Sequence, residues 1–163
     1  GIEKNRIRRH CLMKVYRIIA EKHSGVLKAS GYAARWNSAG VEVIYTASSA
    51  ALACLESVVH RDYLELKLKF ALVTIEIPEA LNIKQVRKSE LVNGWNDFGE
   101  DAYMICRKAG DNWIKVGKSA VLKVPSVIVK SEFNYLLNPN HPEINKIKIV
   151  NTEPFLFDPR IIR

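Results

Sequence analysis

Short runs in which apolar and polar residues alternate recur along this chain and predict a domain rich in β-strands. The predicted strands are 14–19, 43–46, 71–77, 81–86, 121–124, 127–129 and 146–150. Pro78 ends the third of them, because proline lacks the N–H group that a strand ladder needs. The segment 134–142 is rich in asparagine and proline, so we expect it to be a loop.

Two longer segments carry helical patterns. The first begins at Ser48, whose hydroxyl is suited to cap a helix, and ends at His60. Its predicted apolar face consists of Leu52, Leu55 and Val59. The second helix is predicted at 97–113, with Gly110 weakening its end, and a helical turn is predicted at 89–91.

Strands and helices follow one another without a repeat, a low-complexity tract or an interdomain linker. With 163 residues, 48% of them hydrophobic, the chain can bury a sizeable core without a disulfide or a structural metal. We therefore expect a single compact domain of the α+β class.

The net charge of +8 is unevenly distributed. Residues 1–12 hold four basic and one acidic side chain, so residues 13–163 carry +5. We interpret Met13 as the natural start, 1–12 as a non-native or upstream leader, and 13–163 as the domain. The remaining basic residues form no stripe and are not interleaved with aromatic residues, which argues against direct binding of nucleic acid.

No apolar run of the chain approaches the roughly 20 residues of a membrane span, and no signal peptide pattern is present. The three cysteines, Cys11, Cys54 and Cys106, are widely spaced and form no pattern typical of a metal site. We interpret them as reduced thiols of a cytoplasmic protein that binds no metal.

The candidate chemistry is concentrated between Gly31 and Glu56. Arg35 lies in a predicted loop, and its guanidinium offers a fork of donors suited to phosphate or carboxylate. Tyr45 lies on a predicted strand and can pack on a planar ring. Glu56 lies at the edge of the apolar face of the first helix, beside His60, where a carboxylate is expensive unless it is hydrogen-bonded or used.

Each of these residues also fits an ordinary role. A loop arginine is commonly a solvated surface charge, a strand tyrosine commonly packs in a core, and a glutamate at a helix boundary commonly faces water. The three together indicate a ligand site only if the fold brings them close in space.

Blocks spaced over about residues 13–157 are similar to the RES-domain family, which is named for its arginine, glutamate and serine. The blocks are Val15-Tyr16-Arg17, 35–40, 44–47, 52–60, Val124-Pro125-Ser126, 134–139 and His141-Pro142. RES proteins are toxins of bacterial toxin–antitoxin pairs, with a fold similar to that of the ADP-ribosyltransferase toxins. Their antitoxin is an Xre-like protein with a helix-turn-helix domain.

The resemblance implies an enzyme that consumes NAD+ as its substrate and so arrests growth, with ADP-ribosylation of a protein target as the alternative. It assigns Arg17 and Arg35 to the NAD+ pocket, Tyr45 to the aromatic wall, Glu56 to the acid and Ser126 to the serine. Asn134 is a further candidate for contacting the ligand. It also implies that the antitoxin covers this pocket in a toxin–antitoxin oligomer, and a positive pocket favours an acidic segment as the plug.

Two other functions remain open at this point. A non-catalytic NAD binder would use Arg35 and Tyr45 but would not need Glu56. A ribonuclease would need a paired general acid and base, and the four histidines show no such spacing.

Overall fold

The computed structural model describes residues 12–161. It contains seven strands and two α-helices. The strands are β1 (Leu12–Ala20), β2 (Ile44–Ala47), β3 (Phe70–Pro78), β4 (Ile83–Gln85), β5 (Val121–Pro125), β6 (Phe133–Leu137) and β7 (Lys148–Phe155), and the helices are α1 (Ala50–His60) and α2 (Glu100–Val116). Four short 3-10 helices, Glu21–His23, Glu65–Lys67, Lys88–Glu90 and Pro142–Lys146, lie in the connections. The expected α+β single domain is confirmed.

All seven strands belong to one sheet in the order β4-β5-β6-β2-β1-β3-β7. Only β4 and β5 run parallel to each other. The pairing is extensive on both sides of the sheet, with β1 and β3 in register from Leu12↔Pro78 to Ala20↔Phe70. At the centre, by contrast, β1 and β2 are paired at the single position Tyr16↔Ala47. The sheet therefore consists of two well-paired halves, β4-β5-β6-β2 and β1-β3-β7. They are connected by this one residue pair, which we call the join, and β1 and β2 move apart away from it.

The core explains why the halves stay together. One cluster of buried residues spans the join, with Val15 and Val73 from one half packing with Ile44 and Leu137 from the other. Helix α1 packs over the join through Leu52 and Ala53, in a cluster that includes Ile18 and Ala47. The side-chain hydroxyl of Ser49 caps this helix by accepting a hydrogen bond from the Leu52 N–H at 3.0 Å.

The buried side of α1 differs from the predicted apolar face. Leu52 is fully buried, but Leu55 and Val59 are 40% and 50% exposed, and Ala53 and Ser57 are buried instead. The cap also falls one residue later than predicted, at Ser49. The hydroxyl of Ser48 accepts a hydrogen bond from the Phe133 N–H of β6, so it is not available to the helix.

One strand prediction and one loop prediction were wrong. Residues 127–129 are not a strand, because the Ser126 hydroxyl accepts hydrogen bonds from the N–H groups of Ile128 and Val129 and turns the chain there. The segment from Asn134 to Leu137 is not a loop but belongs to β6, an interior strand between β2 and β5.

The predicted leader at 1–12 lies, apart from Leu12, outside the described residues, as does Cys11. Cys54 and Cys106 are free thiols.

Helix α2 packs its buried side, including Cys106 and Trp113, against a cluster that contains Trp36. Gly110 lies in the middle of this helix rather than near its end. A Cβ atom at position 110 would lie 1.7 Å from the carbonyl oxygen of Trp36. The helix therefore contacts the backbone of the 31–41 loop at a position where only glycine fits.

We predict that Gly110→Ala destabilises the protein by about 2–3 kcal/mol, because the loop or the helix must move to relieve the overlap. Helix propensity alone would favour alanine by about 1 kcal/mol, so any loss of stability measures the steric contact. Gly25→Ala is the control, since its added Cβ would have no atom within 4 Å. Urea unfolding of both variants tests this, and a Gly110→Ala protein as stable as the wild type would contradict it.

Candidate active site

A cavity of about 610 Å³ opens where β1 and β2 separate. Its walls include residues of β1, β2, β5, β6, α1 and α2, of the 30–36 loop and of the turn after β5. The lining residues that carry polar or ionisable groups include Tyr16, Arg17, Ser30, Arg35, Tyr45, Glu56, His60, Arg61, Tyr103, Arg107 and Asn134. The structure thus brings five of the six sequence-predicted site residues to one cavity, and only Ser126 is not among those that line it.

Arg35 is tied to the segment before α2. Its two terminal nitrogens donate to the carbonyl oxygens of Trp95 and Asp97, at 3.0 and 3.3 Å. Its guanidinium carbon lies 4.5 Å from the ring centroid of Tyr103, in a cation–π contact. Arg35 therefore presents its guanidinium at the cavity, although two of its donor nitrogens already bond to backbone carbonyl oxygens.

Tyr45 holds the loop that carries Arg35. Its hydroxyl accepts a hydrogen bond from the Trp36 N–H at 3.1 Å and donates one to the Asn37 side-chain oxygen at 2.6 Å. Asn37 is buried and donates to the carbonyl oxygens of Tyr32 and Val41. Burial raises the pKa of Tyr45 far above its usual range, so the hydroxyl stays protonated and its ring remains a neutral wall of the cavity.

Glu56 is the one carboxylate among the lining residues that the structure describes. Its side chain is 27% exposed, and one carboxylate oxygen lies 3.4 Å from Nε2 of His60, one turn further along α1. Glu56 lies near the buried residues Ala53 and Ser57 of α1, and all three line the cavity. The predicted proximity of Glu56 to His60 is present.

Arg17 enters the cavity from β1. One terminal nitrogen donates to the carbonyl oxygen of Lys28 at 3.0 Å. Burial, and then the nearby charge of Arg61, lower the pKa of Arg17 to about 10. The guanidinium is still charged at neutral pH, and it lies in a place where a cation is poorly solvated.

Asn134 and Ser126 have different surroundings. Asn134 is opposite Ala47 in the sheet, and Ala47 is opposite Tyr16, so Asn134 lies in line with the join between the halves. Its side-chain amide donates to the carbonyl oxygen of Thr46 at 3.3 Å. Ser126 is 1% exposed, and its two hydrogen bonds hold the turn whose residues Val127 and Ile128 line the cavity.

Two cavity arginines were missed from the sequence. Arg107 of α2 donates through Nε to the carbonyl oxygen of Ala34 at 2.9 Å and lies 3.3 Å from Glu100. Arg61 follows the last residue of α1. Neither lies in a motif, although the helical period does place Arg107 four residues after Tyr103, which also lines the cavity.

Within residues 12–161, no group of three or more His, Cys, Asp or Glu side chains is arranged to hold a metal ion. None of the helices in that range is long and apolar enough to cross a membrane.

Comparison with known proteins identifies the family. The family model described as RES domain matches residues 12–158, which is most of the chain. The chain belongs to the RES-domain family. The resemblance seen in the spaced sequence blocks is confirmed, and the cavity is therefore the cavity of a RES domain.

Among proteins similar to this RES domain, one from Sphingobium sp. (strain YBL2), named Prs ADP-ribosylating toxin, is 42% identical over 79% of this chain and 80% of its own length. A protein of Yersinia enterocolitica named Toxin Res is 33% identical over 91% of this chain and 99% of its own length. A chain of the crystal structure of the M. tuberculosis MbcT–MbcA toxin–antitoxin complex shares the fold. Its TM-score is 0.70 at 16% identity, with 90% of this chain and 86% of that chain covered.

We predict that Tyr45→Phe destabilises the protein by about 1–3 kcal/mol, because the Trp36 N–H and the Asn37 side chain lose their shared partner in a largely buried place. Tyr63→Phe, at a residue that is 51% exposed, serves as the control and should change stability by less than about 0.5 kcal/mol. Thermal or urea unfolding measures both. Equal stability of the two variants would show that the Tyr45 hydroxyl does not hold the loop.

Proposed function

We propose that this RES-domain protein is a toxin that breaks the bond between nicotinamide and ribose in NAD+ and thereby depletes NAD+ in the cytoplasm. The observation that carries the proposal is the charge arrangement of the cavity. One carboxylate, Glu56, faces a cavity whose other charged walls include Arg17, Arg35, Arg61 and Arg107. NAD+ has matching parts, namely a cationic nicotinamide ring next to a ribose and an anionic diphosphate.

The size of the cavity agrees with such a ligand. A volume of about 610 Å³ lies within the range of roughly 300–1,000 Å³ that is typical of small-molecule and cofactor sites. The cavity also has both apolar and hydrogen-bonding walls, as Tyr45 and Ile18 lie beside Asn134 and Arg17.

The reaction needs charge stabilisation more than proton transfer. As the bond between the ribose carbon and the nicotinamide nitrogen breaks, its electron pair stays on nitrogen and nicotinamide leaves as a neutral ring. Positive charge develops on the ribose, as in glycoside hydrolysis. Glu56, placed on a helix whose buried side is fixed by Leu52 and Ala53, would stabilise that charge without having to reorganise.

The other predicted site residues would bind and position the ligand. Arg17 would contact the diphosphate, and Arg35 would contribute its charge while its hydrogen bonds to Trp95 and Asp97 hold the loop. The ring of Tyr45 would pack on nicotinamide. Its raised pKa rules it out as a general base near neutral pH.

Asn134 and Ser126 would act at the wall formed by β6 and the turn after β5. Asn134 lines the cavity and is a candidate for a direct contact with the ligand. Ser126 would act indirectly, because its hydroxyl fixes the backbone of Ile128 and Val129 in the turn that forms part of the cavity wall.

A second candidate function differs only in the acceptor. If a protein side chain takes the place of water or phosphate, the same bond cleavage becomes mono-ADP-ribosylation. The relative named Prs ADP-ribosylating toxin, 42% identical over 131 residues, favours this variant. Its name describes that relative, and the acceptor used by this chain is distinguished by the mass of the product.

We predict that Glu56→Gln lowers the rate of NAD+ cleavage by about a hundredfold or more, because the amide lacks the negative charge that stabilises the ribose cation. The measurement is NAD+ loss over time with the purified protein, with products identified by mass spectrometry. Free ADP-ribose indicates water as acceptor, a phosphorylated product indicates phosphate, and a mass increase on an added protein indicates transfer.

Glu79→Gln is the matched control for this experiment, since Glu79 is an exposed glutamate at the end of β3 that does not line the cavity. It should leave turnover unchanged. A folded Glu56→Gln protein that consumes NAD+ as fast as the Glu79→Gln protein would refute the assignment of Glu56. Binding of NAD+ without turnover in the wild type would favour a non-catalytic binder instead.

We also propose that an Xre-type antitoxin with a helix-turn-helix domain forms an oligomer with this protein and covers the cavity. The structural neighbour comes from a toxin–antitoxin complex, which supports an antitoxin partner. The cationic walls would attract an acidic or carboxylate-bearing segment.

We predict that an antitoxin lacking this segment binds more weakly and no longer blocks NAD+ turnover. Full inhibition by the truncated antitoxin would contradict the prediction.

A further inference from the structure

Arg61 has a buried polar atom without a partner. Its Nη1 is shielded from solvent and makes no hydrogen bond within residues 12–161. The guanidinium carbon lies 4.8 Å from the ring centroid of Phe70, so the side chain rests on an aromatic face and lines the cavity. A charged donor in such a place is costly unless something satisfies it.

A second cation lines the same cavity. Arg17 lines the same cavity, and the charge of Arg61 is close enough to lower the pKa of Arg17. No carboxylate of the described residues lies within ion-pair distance of either guanidinium. Glu65 is the acidic group that raises the pKa of Arg61, but burial lowers it more strongly, and a carboxylate oxygen of Glu65 accepts a hydrogen bond from the Asp62 N–H.

The other two cavity arginines are better satisfied. Arg35 donates to two carbonyl oxygens, and Arg107 donates to one and lies beside Glu100. Arg17 has a single carbonyl contact, to Lys28. Among the four cavity arginines, the unused donor capacity is therefore concentrated on Arg17 and Arg61. Their two guanidinium groups offer planar forks that match phosphate oxygens.

We propose that Arg61 and Arg17 together form the diphosphate-binding site of the cavity, with Arg61 as a ligand-binding residue. The inference rests on the proposed NAD+ chemistry for the identity of the ligand, but the anion site itself rests on the two guanidinium groups. A bound diphosphate supplies two negative charges to two cations that otherwise repel each other, and it offers an acceptor to the Nη1 of Arg61.

The placement of Arg61 also fits the order of groups along NAD+. Glu56 lies within α1, whereas Arg61 has an extended backbone and follows His60, the last residue of the helix, so the two side chains leave the chain at different points. The end of α1 and the residue that follows it thus present a carboxylate and a cation to the same cavity at separate points. A ribose bound between them would have its anomeric carbon near Glu56 and its phosphate near Arg61.

The test uses inorganic pyrophosphate and ADP-ribose as ligands, with the full chain and isothermal titration calorimetry. We expect Arg61→Met to weaken the binding of both ligands about tenfold or more, because it removes hydrogen bonds to a charged group. Arg61→Lys retains the charge without the fork and should lose less. Arg87→Met, at an exposed arginine that does not line the cavity, has the same change in net charge and should bind as the wild type does.

Thermal unfolding without ligand separates a binding role from a structural one. Methionine keeps the apolar contact with Phe70 and removes a poorly satisfied cation, so the ligand-free Arg61→Met protein should unfold at the same temperature as the wild type or higher. Pyrophosphate should raise the unfolding temperature of the wild type and shift that of Arg61→Met much less.

Equal affinity of wild type and Arg61→Met for pyrophosphate would overturn the inference, and so would an Arg61→Met protein that unfolds at a lower temperature while Arg61→Lys binds no better. These outcomes are independent of turnover. A wild type that consumes NAD+ while Arg61→Met binds pyrophosphate normally leaves the proposed function standing and removes the inference. A wild type that binds pyrophosphate through Arg61 but does not consume NAD+ supports the anion site and refutes the proposed function.

Discussion

The single strand pair Tyr16↔Ala47 is the constraint on which the rest of this structure depends. Two central strands that were paired along their whole length would bring their backbones to about 4.8 Å and leave no space between them. Because β1 and β2 meet at one position, their side chains and backbones separate and can line a cavity. The buried cluster around Val15 and Ile44 keeps the halves in contact, so the cavity opens without loss of a common core.

The loop between β1 and β2 is held by contacts from three directions. Tyr45 bonds to the backbone of Trp36 from β2, Asn37 bonds to backbone carbonyls within the loop, and Asp111 of α2 accepts hydrogen bonds from the N–H and hydroxyl of Ser38. Most of these partners are polar groups that would be costly to bury alone. A loop fixed in this way can hold Arg35 at the cavity with the precision that electrostatic catalysis requires.

Local pattern was enough to predict the strands whose signal is local. β1, β2, β3 and β5 lie within about two residues of their predicted bounds, because alternation and Pro78 act within each segment. β6 was missed because Asn134 resembles a turn residue, and its burial depends on the Thr46 carbonyl oxygen of the neighbouring strand. The turn at 127–129 depends on the hydroxyl of Ser126, and a pattern of apolar and polar residues gives no information about such a hydrogen bond.

The candidate site, too, could be predicted only in part from the sequence. Arg17, Arg35, Tyr45 and Glu56 could be selected from the sequence by their chemistry and by resemblance to a family, but their convergence on one cavity required the sheet topology. Arg61 carried no signal at all, because its meaning comes from the absence of a partner and the presence of Arg17. A side chain that is notable for a missing hydrogen-bond partner can be recognised only from the three-dimensional structure.

Gly110 gives the structure a use in reading other sequences of the family. Its hydrogen atom is the only substituent that fits beneath the Trp36 carbonyl. A relative with any larger residue at the equivalent position must place its loop farther from the second helix, and hence carry its arginine on a different path to the cavity. One small residue, remote from the reacting groups, thus indicates which relatives can be compared with this protein atom by atom.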